Sequence, residues 1–92
     1  MDAEDSRELA TVRKFGGIFD VDRKREYRAA RRRKNGTAHM ITVEILDAGP
    51  EADRPHERFS CVARADDGKA ASGNPGPTAE KALALVHWWN LD

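Results

Sequence analysis

Residues 23–34 read Arg-Lys-Arg-Glu-Tyr-Arg-Ala-Ala-Arg-Arg-Arg-Lys, eight positive charges and one negative, or +7 in twelve positions. Most of this segment cannot enter a core, because stripping water from unpaired guanidinium and ammonium groups costs far more than burying its few apolar residues returns. The bulk of the core must come from the rest of the chain. Seven bulky apolar residues lie from Leu9 to Tyr27 and thirteen from Met40 to Leu91, so the weight of the core falls on the C-terminal half. Ninety-two residues are enough for a single domain, 1–92, with a modest core.

The flanks carry the opposite sign. Residues 1–22 hold three positive and six negative charges, and residues 35–92 hold five and nine, giving −3 and −4 against +7. The chain is an acidic body with one intensely basic segment, a polarity suited to an anionic partner. No apolar run approaches the ~20 residues of a membrane span. Asp2, Glu4 and Asp5 have the wrong charge for a secretion signal, so a cytoplasmic location is expected. Cys61 is alone, which excludes an internal disulfide framework or thiolate metal cluster and marks it as a small buried residue.

The pattern predicts an α+β fold. Asp5 or Ser6 caps a first helix bearing Leu9, Val12 and Phe15, which Gly16-Gly17 breaks. Ile18, Phe19 and Val21 form an apolar cluster. Asp20 or Asp22 then caps a second, basic helix that Asn35-Gly36 stops, with Tyr27, Ala29 and Ala30 as its only core-facing side chains. Residues 39–48 alternate as a strand, with Ile41, Val43 and Ile45 on one face. A polar loop over 47–58 leads to a second strand at 59–65. Asp66-Asp67-Gly68 turns the chain into a short third strand at 69–73. Thr78 caps a last helix running to about residue 90, with Ala79, Leu83, Val86 and Trp89 or Asn90 in its buried stripe and Ala82 and Leu85 flanking it. The expected architecture is α-βββ-α: residues 1–36 helical, then a three-stranded antiparallel sheet and a C-terminal helix over 37–92.

Residues 36–90 resemble a double-stranded-RNA-binding domain. Pro55-His56 is similar to that family's loop signature, Phe59 stands near its strand aromatic, and Gly68-Lys69 matches its second hairpin turn. Gly76, Thr78 and Ala82 match the residues at the start of its last helix. The resemblance implies the fold and a role for His56 in a minor groove. The family's two phosphate-gripping lysines are replaced here by Ala79 and Glu80, with Lys81 nearby, so the usual duplex-RNA mode is not implied. A weaker likeness joins Gly76 to Leu83 with the sheet-and-helix domains of HicB-type antitoxins.

The chemistry-bearing residues point to binding. His39, His56 and His87 lack metal-ligand spacing, no base is placed beside Ser60 or Cys61, and Asp66 and Asp67 read as turn formers, so neither enzyme activity nor a metal or cofactor is expected. Arg23, Lys24, Arg25, Arg28, Arg31, Arg32, Arg33 and Lys34 can neutralise phosphates, and His56 is a secondary contact. Trp88 and Trp89 cannot share one helical face. Trp89 fits the buried stripe, which leaves Trp88 either to close a thin core or to anchor a partner. The favoured expectation is a small nucleic-acid-associated domain, for RNA or DNA. The alternative is a phage-type inhibitor or adaptor that binds an acidic protein surface, for example on a CRISPR effector or another nucleic-acid-handling complex.

Overall fold

The computed structural model describes residues 2–16 and 21–92. Helix α1 (Ala3–Val12) is followed by four strands, β1 (Arg23–Arg32), β2 (Ala38–Asp47), β3 (Phe59–Ala65) and β4 (Ala70–Ser72), and then by helix α2 (Ala79–Ala84). Two 3-10 turns, Pro55–Glu57 and Trp88–Leu91, complete the regular structure of the described residues. The strands form one antiparallel sheet in the order β1-β2-β3-β4. The α+β class is as expected, and so are the strands near 39–48, 59–65 and 69–73. The sheet has four strands, not three.

The added strand is the basic segment, expected as a helix. Asn35-Gly36 is a hairpin turn here and not a helix stop. Gly36 takes the left-handed φ of 92°, and the Asn35 side-chain oxygen accepts from the Thr37 amide at 3.0 Å and hydroxyl at 2.7 Å. From that turn β1 and β2 pair over their whole length, from Arg32 opposite Ala38 to Arg23 opposite Asp47. Two effects favour the strand over helix propensity. A helix would stack like charges such as Arg28 and Arg32 one turn apart. β2, rich in Ile, Val and Thr, also needs backbone partners on both edges.

The N-terminal helix is capped one turn earlier than expected. Asp2, rather than Asp5 or Ser6, accepts from the Asp5 amide at 2.9 Å. Leu9 is the helix's buried residue, seated on Gly49, where an added Cβ would lie 2.6 Å from the leucine methyl. Val12 and Phe15 remain exposed. Gly16 ends the segment with φ 57°. Gly17, Ile18, Phe19 and Asp20, to which a break, an apolar cluster and a cap were assigned, lie outside the described residues. Val21 is half-buried. Asp22 precedes a strand and caps no helix.

One sheet face builds the core. Ile41, Val43, Ile45, Cys61, Ala63, Ala65 and Ala71 are buried beneath Ala82, Val86 and Leu91, with Phe59, Ala79, Leu83 and Trp88 packed around them. Thr78 caps α2 as expected, accepting from the Lys81 amide at 3.1 Å. The helix stops well short of residue 90. The His87 amide turns away to the Ser72 carbonyl of β4 at 3.0 Å, drawing the chain out of the helical path. The expected stripe changes with it. Ala82 and Val86 are buried, whereas Trp89 is 65% exposed and Trp88 turns inward.

This junction has no room for a side chain at position 73. A Cβ on Gly73 would run into the Leu85 carbonyl. Gly73→Ala is therefore expected to destabilise the fold by about 1–3 kcal/mol, the usual cost of overpacking. Urea unfolding monitored by tryptophan fluorescence measures it, and an unchanged midpoint would show that the contact yields freely.

Candidate nucleic-acid interface

Pairing in an antiparallel sheet sorts the cations of β1 by face, because directly opposed residues point the same way. Arg25, Tyr27 and Ala29 stand opposite Ile45, Val43 and Ile41, so Arg23, Arg25, Tyr27, Ala29 and Arg31 share the core side. Lys24, Glu26, Arg28, Ala30 and Arg32 take the other face, together with Arg64 of β3. Neither α2 nor the Trp88–Leu91 turn covers that second face.

Half of the cations meet carboxylates of the acidic body. Arg23 pairs with Asp5 at 3.1 Å. Arg28 grips Asp66 with both terminal nitrogens, at 3.0 and 2.7 Å, and also donates to the Thr42 hydroxyl at 3.2 Å. Arg33 donates to Asp67 at 3.1 Å and to the Thr37 hydroxyl at 3.1 Å. Arg31 reaches Asp92 at 2.8 Å and the Trp88 carbonyl at 3.1 Å. Asp92 is a hub: it also accepts from the Lys34 amide at 3.1 Å, and its main-chain oxygen accepts from the Lys69 ammonium at 2.6 Å. The Arg28 bond holds the Asp66 carboxyl below its ordinary range. The Lys69 amide, aided by Arg33, does so for Asp67, and Arg31 for Asp92.

The other four cations are less committed. Lys24 sits 3.9 Å from Glu26, and among the described residues Arg32 donates to the Gly36 carbonyl at 2.9 Å. The Arg25 guanidinium and the Lys34 ammonium form no hydrogen bond or ion pair among the described residues, though the Lys34 charge lies near enough to Asp92 to help lower its carboxyl. Arg25 and the half-exposed Tyr27 are neighbours on the core side. Beside them lies a cleft of about 150 Å³ lined by Arg23, Arg25, Ile45, Asp47, Phe59 and Ala79.

The remaining expected site residues fall elsewhere. His56 is exposed in the 3-10 turn of the long loop, which also carries Glu51, Asp53 and Glu57, charges that oppose a phosphate. The Asp47–Arg58 pair ties this loop to the sheet, with bonds at 2.7 and 3.1 Å. Burial raises the Asp47 carboxyl, but the Arg58 bond and the Gly49 amide outweigh it and the net shift is downward. Sequence reasoning missed this clasp. The acid at the end of β2 and the arginine before β3 were in view, but their closeness depends on the loop closing. Trp88, a candidate interface anchor, is not free for that role: its indole N–H donates to the Leu83 carbonyl at 3.1 Å. Cys61 is buried, and burial pushes its thiol up. Glu80 is exposed in the first turn of α2. The described residues contain no cluster of three or more potential metal ligands and no helix long and apolar enough to cross a membrane.

His39 is an unexpected part of the network. Its Nε2 lies 3.4 Å from Arg31 Nη1, and its Nδ1 is sealed from solvent without a partner. Desolvation, then the Arg33 and Arg31 charges, pushes its pKa below the ordinary 6.5. The folded state thus takes up this proton less readily than the unfolded chain. The stability it contributes is present above pH 6.5 and is lost as pH falls from there through the folded-state pKa. Denaturation midpoints measured between pH 7.5 and 5 should fall for the native chain and stay flat for His39→Gln. A second loss should follow below 3.8, as the Asp66, Asp67 and Asp92 pairs are protonated. Equal slopes in the two proteins near pH 6 would remove His39 from the account.

No protein family matches the chain, and neither a characterised protein nor a solved structure resembles it at a significant level.

Proposed function

We propose that this protein is a non-enzymatic binding domain that docks nucleic acid along the cationic edge strand β1 and the turn that follows it. One observation carries the reading: eight cations lie on a single edge strand and its turn, four held in place by carboxylates and four less committed. The paired arginines stiffen the strand, while the less committed Lys24, Arg25, Arg32 and Lys34 are the ones to meet phosphates. Forked guanidinium contacts and backbone neutralisation suit DNA or RNA alike. Plain duplex RNA gripped in the manner of double-stranded-RNA-binding domains is disfavoured. The segment before β2 is a strand and not a helix, and Ala79 and Glu80 stand where the resemblance would call for lysines. A cytoplasmic setting fits this reading.

A second reading has its own observation. β1 is an edge strand, so its outward backbone groups are open to an added strand, and its cations suit an acidic one. An inhibitor or adaptor clasping an acidic segment of a nucleic-acid-handling complex would use the same residues.

On this reading the binding charges and the structural charges are different residues. A Lys24→Gln, Arg25→Gln, Lys34→Gln variant should keep its melting temperature to within about 2 °C, since exposed charges of this kind are worth little to stability. Its affinity for nucleic acid should fall at least about tenfold, with a shallower dependence on salt. Arg31→Gln, which removes a half-buried pair, should instead lower the melting temperature. Unchanged nucleic-acid affinity in the triple variant would end the reading. Binding of an acidic peptide alone, lost in that variant, would favour the second.

A further inference from the structure

We infer that the His87–Trp89 pair is a stacking platform for an unpaired nucleobase, so that the ligand is single-stranded rather than duplex nucleic acid; this rests on the nucleic-acid reading above. The 3-10 turn sorts two adjacent tryptophans into different roles. Trp88 packs on the core and anchors its indole to Leu83. Trp89 is 65% exposed, and its ring lies parallel to His87, with centroids 4.7 Å apart and planes 16° apart. The imidazole covers one face of the indole and leaves the other open to solvent.

The platform is rigid because its backbone is held at several points. The His87 amide is bonded to Ser72 and the Trp88 carbonyl to Arg31, Leu91 is wholly buried, and Lys69 holds the Asp92 main-chain oxygen. A ring carried on a backbone held in this way, and already stacked on His87, loses less freedom when a base joins it.

Charge argues that the occupant is a base rather than a protein side chain. Arg31 and Lys69 both reach the turn that carries the platform. The Lys34 amide bonds to Asp92, whose own amide bonds to the Trp89 carbonyl. The Lys34 ammonium, which makes no hydrogen bond or ion pair among the described residues, is left for a phosphate. An aromatic face beside cations that follow a sugar-phosphate chain is the arrangement that holds single strands. A duplex keeps its bases stacked inside and cannot offer one to the indole. Tyr27, half-exposed on the same side of the sheet beside Arg25, is a second ring along the strand.

The test uses the full chain, a short homopyrimidine single strand and a duplex of equal length, with anisotropy for affinity and tryptophan emission for stacking. The single strand should bind more tightly and quench emission. Trp89→Ala should weaken single-strand binding roughly tenfold, the usual effect of removing one base stack, and leave duplex binding unchanged. Trp89→Phe should recover most of the loss. If Trp89→Ala binds the single strand as the native chain does, or loses both ligands equally, the platform is refuted and the charge-based reading stands. If neither nucleic acid binds the native protein, the underlying reading fails and the platform fails with it.

Discussion

The pairing of β1 with β2 is the interaction on which the rest of this structure depends. β2 is the strand with the most apolar core face, and pairing on both edges satisfies its backbone. Without β1, one edge of β2 would be open along Ile41, Val43 and Ile45. Partnership with β2 also answers the charge problem of β1. Extended backbone sends successive residues to opposite faces, so consecutive cations are separated rather than stacked. Each face then finds its own carboxylates: Asp66 for Arg28 on the open face, and Asp5 and Asp92 for Arg23 and Arg31 on the core side. The strand keeps a surplus of positive charge, but half of its cations have a fixed carboxylate of the acidic body beside them.

The acidic partners come from distant parts of the chain. Asp5 belongs to α1, Asp66 and Asp67 to the β3–β4 turn, and Asp92 follows the final 3-10 turn. The turn acids have a double role. The Asp67 carboxylate accepts from the Lys69 amide at 3.0 Å, shaping its own turn, and then meets Arg33. The same contacts that close the fold therefore aim the cations. The uncommitted Arg25 lies between Arg23 and Arg28, and Lys34 follows Arg33, arginines whose positions are set.

Much of the C-terminal half was legible from sequence, because there the signals are local. Alternation of Ile41, Val43 and Ile45, the Asp-Asp-Gly turn and the Thr78 cap each specify structure within a few residues. The basic segment was misread because its strongest marker, Asn35-Gly36, serves two purposes. Glycine with positive φ ends helices and also turns hairpins. Arginine, lysine and alanine favour the first reading, and only pairing with β2 selects the second. The assignment of the two tryptophans failed for a similar reason. It assumed a helix to residue 90, whereas a single long-range bond from His87 to Ser72 ends the helix and reverses which indole faces the core. Of the site, the residues were visible but not their division into paired and uncommitted cations, since each carboxylate partner is remote in sequence except Glu26.

Self-neutralisation does not argue against an anionic ligand; it shapes how one would bind. Exposed ion pairs such as Arg28–Asp66 are worth only ~0–1 kcal/mol each. A phosphate that displaces Asp66 therefore forfeits little folding stability, and it meets a guanidinium already held in place by Thr42 as well. The displaced carboxylate remains beside the site and competes for the cation, which weakens affinity and hastens release. Half-buried pairs behave differently. Arg31 is held by Asp92, by the Trp88 carbonyl and close to His39, so it is far costlier to recruit. Contact should thus concentrate on Lys24, Arg25, Arg32 and Lys34, with Arg28 drawn in by exchange, while Arg31 keeps the final turn, and the exposed indole on it, in position. Because the chain as a whole carries no formal net charge, attraction would come from this strand's local surplus of cations, and recognition would depend also on the shape and spacing of the groups that meet the ligand.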